Sequence, residues 1–135
     1  MEAGEFSVYY QPQWDLFSKS FTGFEALALW QSPSYGQISP SEFIPIAEST
    51  GAIQALGEWV LLTACGQAKR WQKTAKHPFF ISVNVSGHQL EQKDFASRII
   101  AILSITGLAL EHLELEITES VFLHNFPAII HSLNC

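Results

Sequence analysis

The chain has 135 residues, of which 47% are apolar and 15% are charged, and it contains ten Phe and four Trp. This length and composition suit one compact domain with a substantial core and exclude an intrinsically disordered chain. The net charge of −6 comes from 13 acidic and 7 basic residues. The sequence therefore lacks the basic stripe that a generic DNA-binding surface requires.

The cysteine content and the apolar stretches indicate where the chain works. Cys65 and Cys135 are too few for a disulfide framework and do not have the spacing of metal ligands. No apolar stretch is long enough to cross a membrane, and the amino terminus lacks the pattern of a signal peptide. We expect a cytoplasmic location with no membrane contact by this segment, although a longer parent protein could be membrane-anchored.

The first two predicted elements are strands. Residues 6–16 (FSVYYQPQWDL) are rich in aromatic and β-branched side chains as far as Pro12 and predict a strand that ends or kinks there. A short link leads to a second strand at 23–30 (GFEALALW). Because parallel neighbours need a long crossover, we expect these two strands to pair antiparallel.

The next segment, 38–51 (ISPSEFIPIAESTG), has the signature of a helix. Ser39 is a candidate N-cap, Pro40 suits the first helical position, and Glu42 completes an S-x-x-E capping box. Gly51 is a credible end of the helix.

Helices and strands alternate through the rest of the chain. Helical spacing of apolar residues is found at 55–73 and 94–107, and a last helix begins at 125–134. Alternation of apolar and polar residues predicts strands at 79–86 and 112–120. This order is typical of an α/β sheet with parallel strands that curls toward a barrel wall, with helices on one face.

Three polar side chains lie well along separate predicted strands, where they can converge on one mouth of such a barrel. These are Glu25, Asn84 and Glu116. Two carboxylates and an amide oxygen are hard ligands that suit Mg²⁺ or Mn²⁺. From pattern alone, other roles stay open for each residue. Glu25 could be a buried acid satisfied by hydrogen bonds, Asn84 could bond to a loop, and Glu114, Glu116 and Glu119 could form a solvated strand edge.

Six segments, in order, resemble the EAL domain, the bacterial phosphodiesterase that cleaves the second messenger cyclic di-GMP. They are YYQPQWDL (9–16), GFEALALW (23–30), ISPSEFIPIAESTG (38–51), LGEWVL (56–61), SVNVSGHQL (82–90) and LELEITES (113–120). The resemblance runs over nearly the whole chain. It implies a modified TIM barrel whose first strand is antiparallel to the others, here about four strands with the helices on the outer face.

The resemblance also implies roles for individual residues. Glu25, Asn84 and Glu116 match metal ligands of the family, Glu119 matches a glutamate that steadies a loop beside the metal site, and Gln11 lies on a substrate-proximal strand. The implied reaction uses two metal ions, Mg²⁺ or Mn²⁺, to activate a water that cleaves one phosphodiester and gives linear pGpG.

Two departures from the family pattern bear on activity. The family motif E-A-L-x-R places a substrate-binding arginine where this chain has Leu29. A TIM barrel takes about 250 residues, and the Asp-Asp pair, catalytic lysine and last glutamate and glutamine of the family's second half are absent from this sequence. Residues 1–135 are therefore interpreted as an incomplete EAL domain that is inactive in isolation.

The incompleteness suggests partners and leaves the function open. An open barrel edge predicts self-association, and an upstream GGDEF or sensor domain is expected in a longer parent. One hypothesis is the first half of a cyclic di-GMP phosphodiesterase; a second is a degenerate, non-catalytic EAL module that binds protein or nucleotide; a third is an α/β fragment without its own function.

Overall fold

The computed structural model describes residues 3–117, and this region contains strands, α-helices and short 3-10 helices that are numbered here in chain order. The strands are β1 Phe6–Asp15, β2 Ser20–Ser32, β3 Gly36–Ile38, β4 Phe80–Asn84 and β5 Leu113–Glu116. The α-helices are α1 Pro40–Thr50, α2 Ile53–Gln72, α3 Gly87–Leu90 and α4 Phe95–Thr106. The 3-10 helices are Ala3–Glu5 and Leu110–His112.

The strands form one sheet in the order β1-β2-β4-β5. β1 pairs antiparallel with β2, as predicted, while β2 with β4 and β4 with β5 pair in parallel. Helices α1 and α2 connect β2 to β4, and α4 lies between β4 and β5. The architecture is therefore the mixed α/β sheet of a partly open barrel, as expected.

The described region has five strands, whereas the sequence predicts about four. The additional strand is β3, a short hairpin partner of β2 in which Ile38 lies opposite Trp30 and Gly36 opposite Ser32. Gly36 has φ +72°, a conformation that side chains with a Cβ rarely adopt. This turn lets β2 continue to Ser32, beyond the predicted end of the second strand.

The hydrophobic core lies between the helices and one face of the sheet. Alternate strand residues, such as Ala26, Ile81 and Val83, are fully or almost fully buried there. α2 and α4 cover this face with small and branched side chains (Val60, Leu61, Ala64, Cys65, Ala68, Ile99, Ile102 and Leu103). Because side chains alternate across a strand, the intervening residues point to the opposite face.

The helix ends agree in part with the predictions. Gly51 and Gly107 end α1 and α4 in the left-handed conformation, with φ of 82° and 80°. Ser39 precedes Pro40 at the start of α1, but its side chain makes no capping hydrogen bond. The predicted capping box is therefore wrong at this helix, because the Ser39 hydroxyl hydrogen-bonds to the Ser41 hydroxyl at 3.0 Å instead.

Several predicted features lie outside the described residues. These are the end of the fourth predicted strand, Glu119 within it, and the last helix at 125–134. Among residues 3–117, no helix combines the length and apolar character needed to span a bilayer.

Candidate functional site

The face of the sheet opposite the core carries a band of polar side chains. In the strand registers, Gln11 lies opposite Glu25, Glu25 opposite Ser82, and Ser82 opposite Glu114. Two residues further along, on the same face, Asn84 lies opposite Glu116. These residues occupy the alternate positions that core residues do not, which is how period-two sequences place two kinds of side chain on two faces.

The structure brings the three predicted metal ligands together. Asn84 Nδ2 donates a hydrogen bond of 2.9 Å to Glu25 Oε2, across 59 residues of sequence. Asn84 and Glu116 are the last residues of the parallel strands β4 and β5 and are paired in register. Parallel strands present their carboxyl ends at one edge, so the site forms there.

The pKa of Glu116 reflects its burial and the charge of Glu25. Burial raises the pKa of Glu116, and the neighbouring Glu25 carboxylate raises it further, both by its charge and by hydrogen bonding. A hydrogen bond from Gln13 acts in the opposite direction. Within residues 3–117 both salt bridges belong to Arg98, so neither Glu25 nor Glu116 is neutralised by a described basic side chain.

This donor set fits a hard divalent cation. The charge of Glu25 raises the pKa of the neighbouring Glu116 carboxyl, a repulsion that a cation would offset, and the amide of Asn84 offers a further oxygen. In the described region, no three side chains among His, Cys, Asp and Glu form a metal-binding group. A three-residue cation site here therefore needs Asn84 beside Glu25 and Glu116, and the role of these residues as ligands stays a prediction.

A second hydrogen-bonded group lies beside the first and was missed by the sequence analysis. Gln13 Nε2 donates to Glu116 Oε1 at 3.4 Å. The hydroxyl of Ser82 lies 3.1 Å from Gln13 Oε1 and 3.0 Å from Glu114 Oε2. The sequence does indicate their face: Gln13 is two residues from Gln11 and Ser82 is two residues from Asn84, and residues two apart on a strand lie on the same face.

The remaining predicted site residues occupy different places. Gln11 is exposed on β1, opposite Glu25. Leu29 is partly buried on β2, opposite Ser7, and shares the face of Glu25. Glu119 lies outside the described residues. The roles of these three residues in substrate binding or loop placement stay predictions.

A cavity of about 290 Å³ borders the site on the side of α1 and α2. Its lining is mainly apolar, including Phe43, Leu56 and Val60, and Asn84 is among the residues on its wall. Ser86, also on this wall, donates a hydrogen bond of 2.6 Å from its hydroxyl to Glu48 Oε2.

Comparison with known proteins gives one consistent result. The family model described as EAL domain matches residues 1–135. An uncharacterised signalling protein of Caulobacter vibrioides is 41% identical over 96% of this chain and 16% of its own length. The cyclic di-GMP phosphodiesterase PA2567 of Pseudomonas aeruginosa is 36% identical over 92% of this chain and 21% of its own length.

Solved structures show the same similarity. The MucR phosphodiesterase in complex with cyclic di-GMP matches with a TM-score of 0.90 and 34% identity, over 97% of this chain and 53% of that chain. The EAL enzyme Bd1971 in its cGMP-bound form matches with a TM-score of 0.83 and 32% identity, over 97% of this chain and 37% of that chain. The chain thus spans 53% of the MucR structure and 16% and 21% of the two curated relatives. With its whole length matched by the family model, the chain belongs to the EAL domain family.

Proposed function

We propose that residues 1–135 are the first half of the EAL domain of a cyclic di-GMP phosphodiesterase and carry part of its metal site. The observation that supports this proposal is the convergence of Glu25, Asn84 and Glu116 from three strands. The relatives with this domain include a named cyclic di-GMP phosphodiesterase. Hydrolysis belongs to the complete domain, because the later residues of the family motif are not in this sequence.

We infer the roles of the chain's own residues from the family resemblance together with their placement. Glu25 and Glu116 would hold Mg²⁺ or Mn²⁺ through carboxylate oxygens, and Asn84 would hold it through its amide oxygen. Such a cation lowers the pKa of a bound water and polarises a phosphodiester oxygen. Gln11 would contact the substrate beside Glu25, since the two residues are opposite each other in the sheet. By resemblance to the family, Glu119 would steady a loop beside the metal site.

A direct test is calorimetric titration of this chain with cyclic di-GMP in the presence of Mg²⁺, with chromatography of the same sample for pGpG. We expect no pGpG from the isolated chain. Formation of pGpG that Glu25→Gln abolishes would show that the second half of the domain is dispensable and would contradict this part of the proposal.

The cation is tested separately with Mn²⁺, whose free form is measured by electron paramagnetic resonance. We expect Glu25→Gln and Glu116→Gln to weaken Mn²⁺ binding strongly, because each removes a charged ligand. Glu91→Gln is the matched control, since Glu91 is an exposed glutamate at the end of α3. An equal loss of Mn²⁺ affinity in all three variants would mean that Mn²⁺ binding depends only on the net charge of the chain.

A second candidate function is a degenerate EAL module that binds nucleotide or protein without cleavage. Leu29 favours this candidate, because it replaces the arginine that the family uses for a substrate phosphate. Binding of cyclic di-GMP that is unchanged when the Mg²⁺ is removed, with no pGpG formed, would support it over the first.

A further inference from the structure

The contact between Gln13 and Glu116 crosses the sheet. Gln13 is on β1, Glu116 is on β5, and 103 residues of sequence separate them. In the sheet, β2 and β4 lie between these two strands. A side chain from the outermost strand therefore reaches a residue of the predicted metal site on the far strand.

Gly23 is the residue of β2 that neighbours Gln13 in the sheet. It lies opposite Gln13 on one side and opposite Phe80 on the other, so it occupies β2 where Gln13 passes. A Cβ at position 23 would overlap the backbone of Phe80. The absence of a side chain at this position allows close pairing of β2 with β4.

The neighbours of Gln13 determine which way its amide points. A carboxylate only accepts hydrogen bonds, so the Nε2 atom of Gln13 must face Glu116 Oε1, at 3.4 Å. The Oε1 atom then faces the hydroxyl of Ser82, which donates to it at 3.1 Å. Ser82 is completely buried, so its hydroxyl is held in place by the packing of β4.

The Ser82 hydroxyl has one proton and two nearby acceptors. Glu114 Oε2 lies 3.0 Å away, about as close as Gln13 Oε1. When the proton is directed to Gln13, both ends of the amide are satisfied. The hydrogen-bonded chain then runs from β4 through β1 to the carboxylate on β5 and restricts how that carboxylate can rotate.

We propose that Gln13 is a positioning residue of the predicted metal site, oriented by Ser82, and that it fixes the Glu116 carboxylate for cation binding. This inference rests on the proposed function, since it assigns Gln13 a role only if Glu116 binds a cation. The outer partners of ligating carboxylates are themselves hydrogen-bonded, and their loss typically weakens metal binding by about ten- to a hundredfold.

The test measures Mn²⁺ affinity by electron paramagnetic resonance for four forms of this chain: unchanged, Gln13→Met, Ser82→Ala, and both together. Methionine keeps the length of the Gln13 side chain and removes its donor and acceptor. We expect about tenfold weaker binding for Gln13→Met and a smaller loss for Ser82→Ala. If Ser82 acts through Gln13, the double variant should bind no more weakly than Gln13→Met.

Two controls separate positioning from general disturbance of the sheet. Gln37→Ala removes an exposed strand glutamine whose side chain hydrogen-bonds to Gln31, away from the predicted metal site, and it should not change the affinity for Mn²⁺. Thermal unfolding of every variant reports whether the fold is intact. If Gln13→Met does not fold, Ser82→Ala alone still tests the positioning role of Gln13. Unchanged Mn²⁺ affinity in Ser82→Ala would overturn that role.

The outcomes distinguish this inference from the proposed function. Unchanged Mn²⁺ affinity in Gln13→Met, with strong loss in Glu116→Gln, overturns the positioning role and leaves the metal site standing. Equal binding by the unchanged chain and Glu116→Gln overturns both. Additive losses from Gln13→Met and Ser82→Ala in the double variant overturn the role of Ser82 and keep that of Gln13.

Discussion

Leu29 lies with Glu25 on the face of β2 that is opposite the core, at the position where the family motif has an arginine. We predict that Leu29→Arg strengthens cyclic di-GMP binding by roughly ten- to a hundredfold, because it adds a charge-assisted contact to a phosphate. Calorimetry of both forms in Mg²⁺ measures the change.

Leu29→Gln is the control, since it adds a polar, hydrogen-bonding side chain without the charge. It should leave the affinity close to that of the unchanged chain. If Leu29→Arg also leaves the affinity unchanged, position 29 does not reach the nucleotide in this protein.

Cys65 is fully buried on α2, and burial raises the pKa of its thiol from 9.0 to about 11. In the unfolded chain the thiol loses its proton first, so above its ordinary pKa the unfolded state binds fewer protons than the folded state. Stability from this group is therefore present below pH 9 and is lost as the pH rises toward the folded value.

We predict that between about pH 8 and about pH 10 the unchanged chain loses roughly 1.3 kcal/mol more stability than Cys65→Ala. Urea unfolding at the two pH values gives the difference, and comparison of the two forms cancels the titration of groups that do not interact with Cys65. Parallel pH dependence in both forms would contradict a raised thiol pKa.

At the scale of elements, two glycines of α2 have opposite surroundings. A Cβ at Gly57 would overlap the side chain of Gln89, which is almost fully buried and accepts a hydrogen bond from the Ser86 backbone in the capping box of α3. A Cβ at Gly66 would have no neighbour closer than 3.9 Å.

We predict that Gly57→Ala lowers the free energy of unfolding by about 1 to 3 kcal/mol, because Gln89 must move and α3 loses its cap. Gly66→Ala is the matched variant in the same helix and should raise stability by roughly 0.5 to 1 kcal/mol, since alanine favours helix. Urea denaturation measures both. A stabilising Gly57→Ala would mean that Gln89 does not approach α2 as closely as described.

The elements differ in how well the sequence predicts them. The parallel order, the antiparallel first pair and the glycine ends of α1 and α4 follow from local patterns. The short strand β3 and the four-residue α3 were missed, because three or four residues are too few to show a period. The capping box was assigned to Ser39, yet it forms at Ser86, where Gln89 completes it.

The site was also predictable only in part, because some of its contacts join residues that are far apart in the sequence. Glu25, Asn84 and Glu116 stand out as polar residues on separate strands, and the family motifs point to them. The sequence places Gln13 and Ser82 on the same face as the site, but their role depends on contacts over 103 and 69 residues that only strand order and register define.

At the scale of the whole molecule, the sheet is open. Within residues 3–117, β5 pairs only with β4, and its other side offers backbone groups to a further strand. The tip of the β1–β2 hairpin adds apolar side chains, since Leu16 is 88% and Phe17 100% exposed. Unpaired strand edges and exposed apolar groups favour association.

We predict that the isolated chain is a dimer or higher oligomer at tens of micromolar protein, as measured by light scattering coupled to size-exclusion chromatography. Phe17→Ser tests how much the hairpin tip contributes to association. Phe79→Ser cannot serve as its control, because Phe79 is buried and its loss would disturb the fold. A monomeric mass for the unchanged chain would contradict this prediction.

The crossing of Gln13 over Gly23 also has a consequence for how the protein acquires its site during folding. The contacts that define the site join residues 59 and 103 positions apart, so no local segment can assemble it early. Non-local pairings of this kind close late, after their loop entropy has been lost. In a refolding experiment, uptake of Mn²⁺ should therefore follow the burial of Trp71 and Cys65, and the cation would report completion of the last strand pairing rather than collapse.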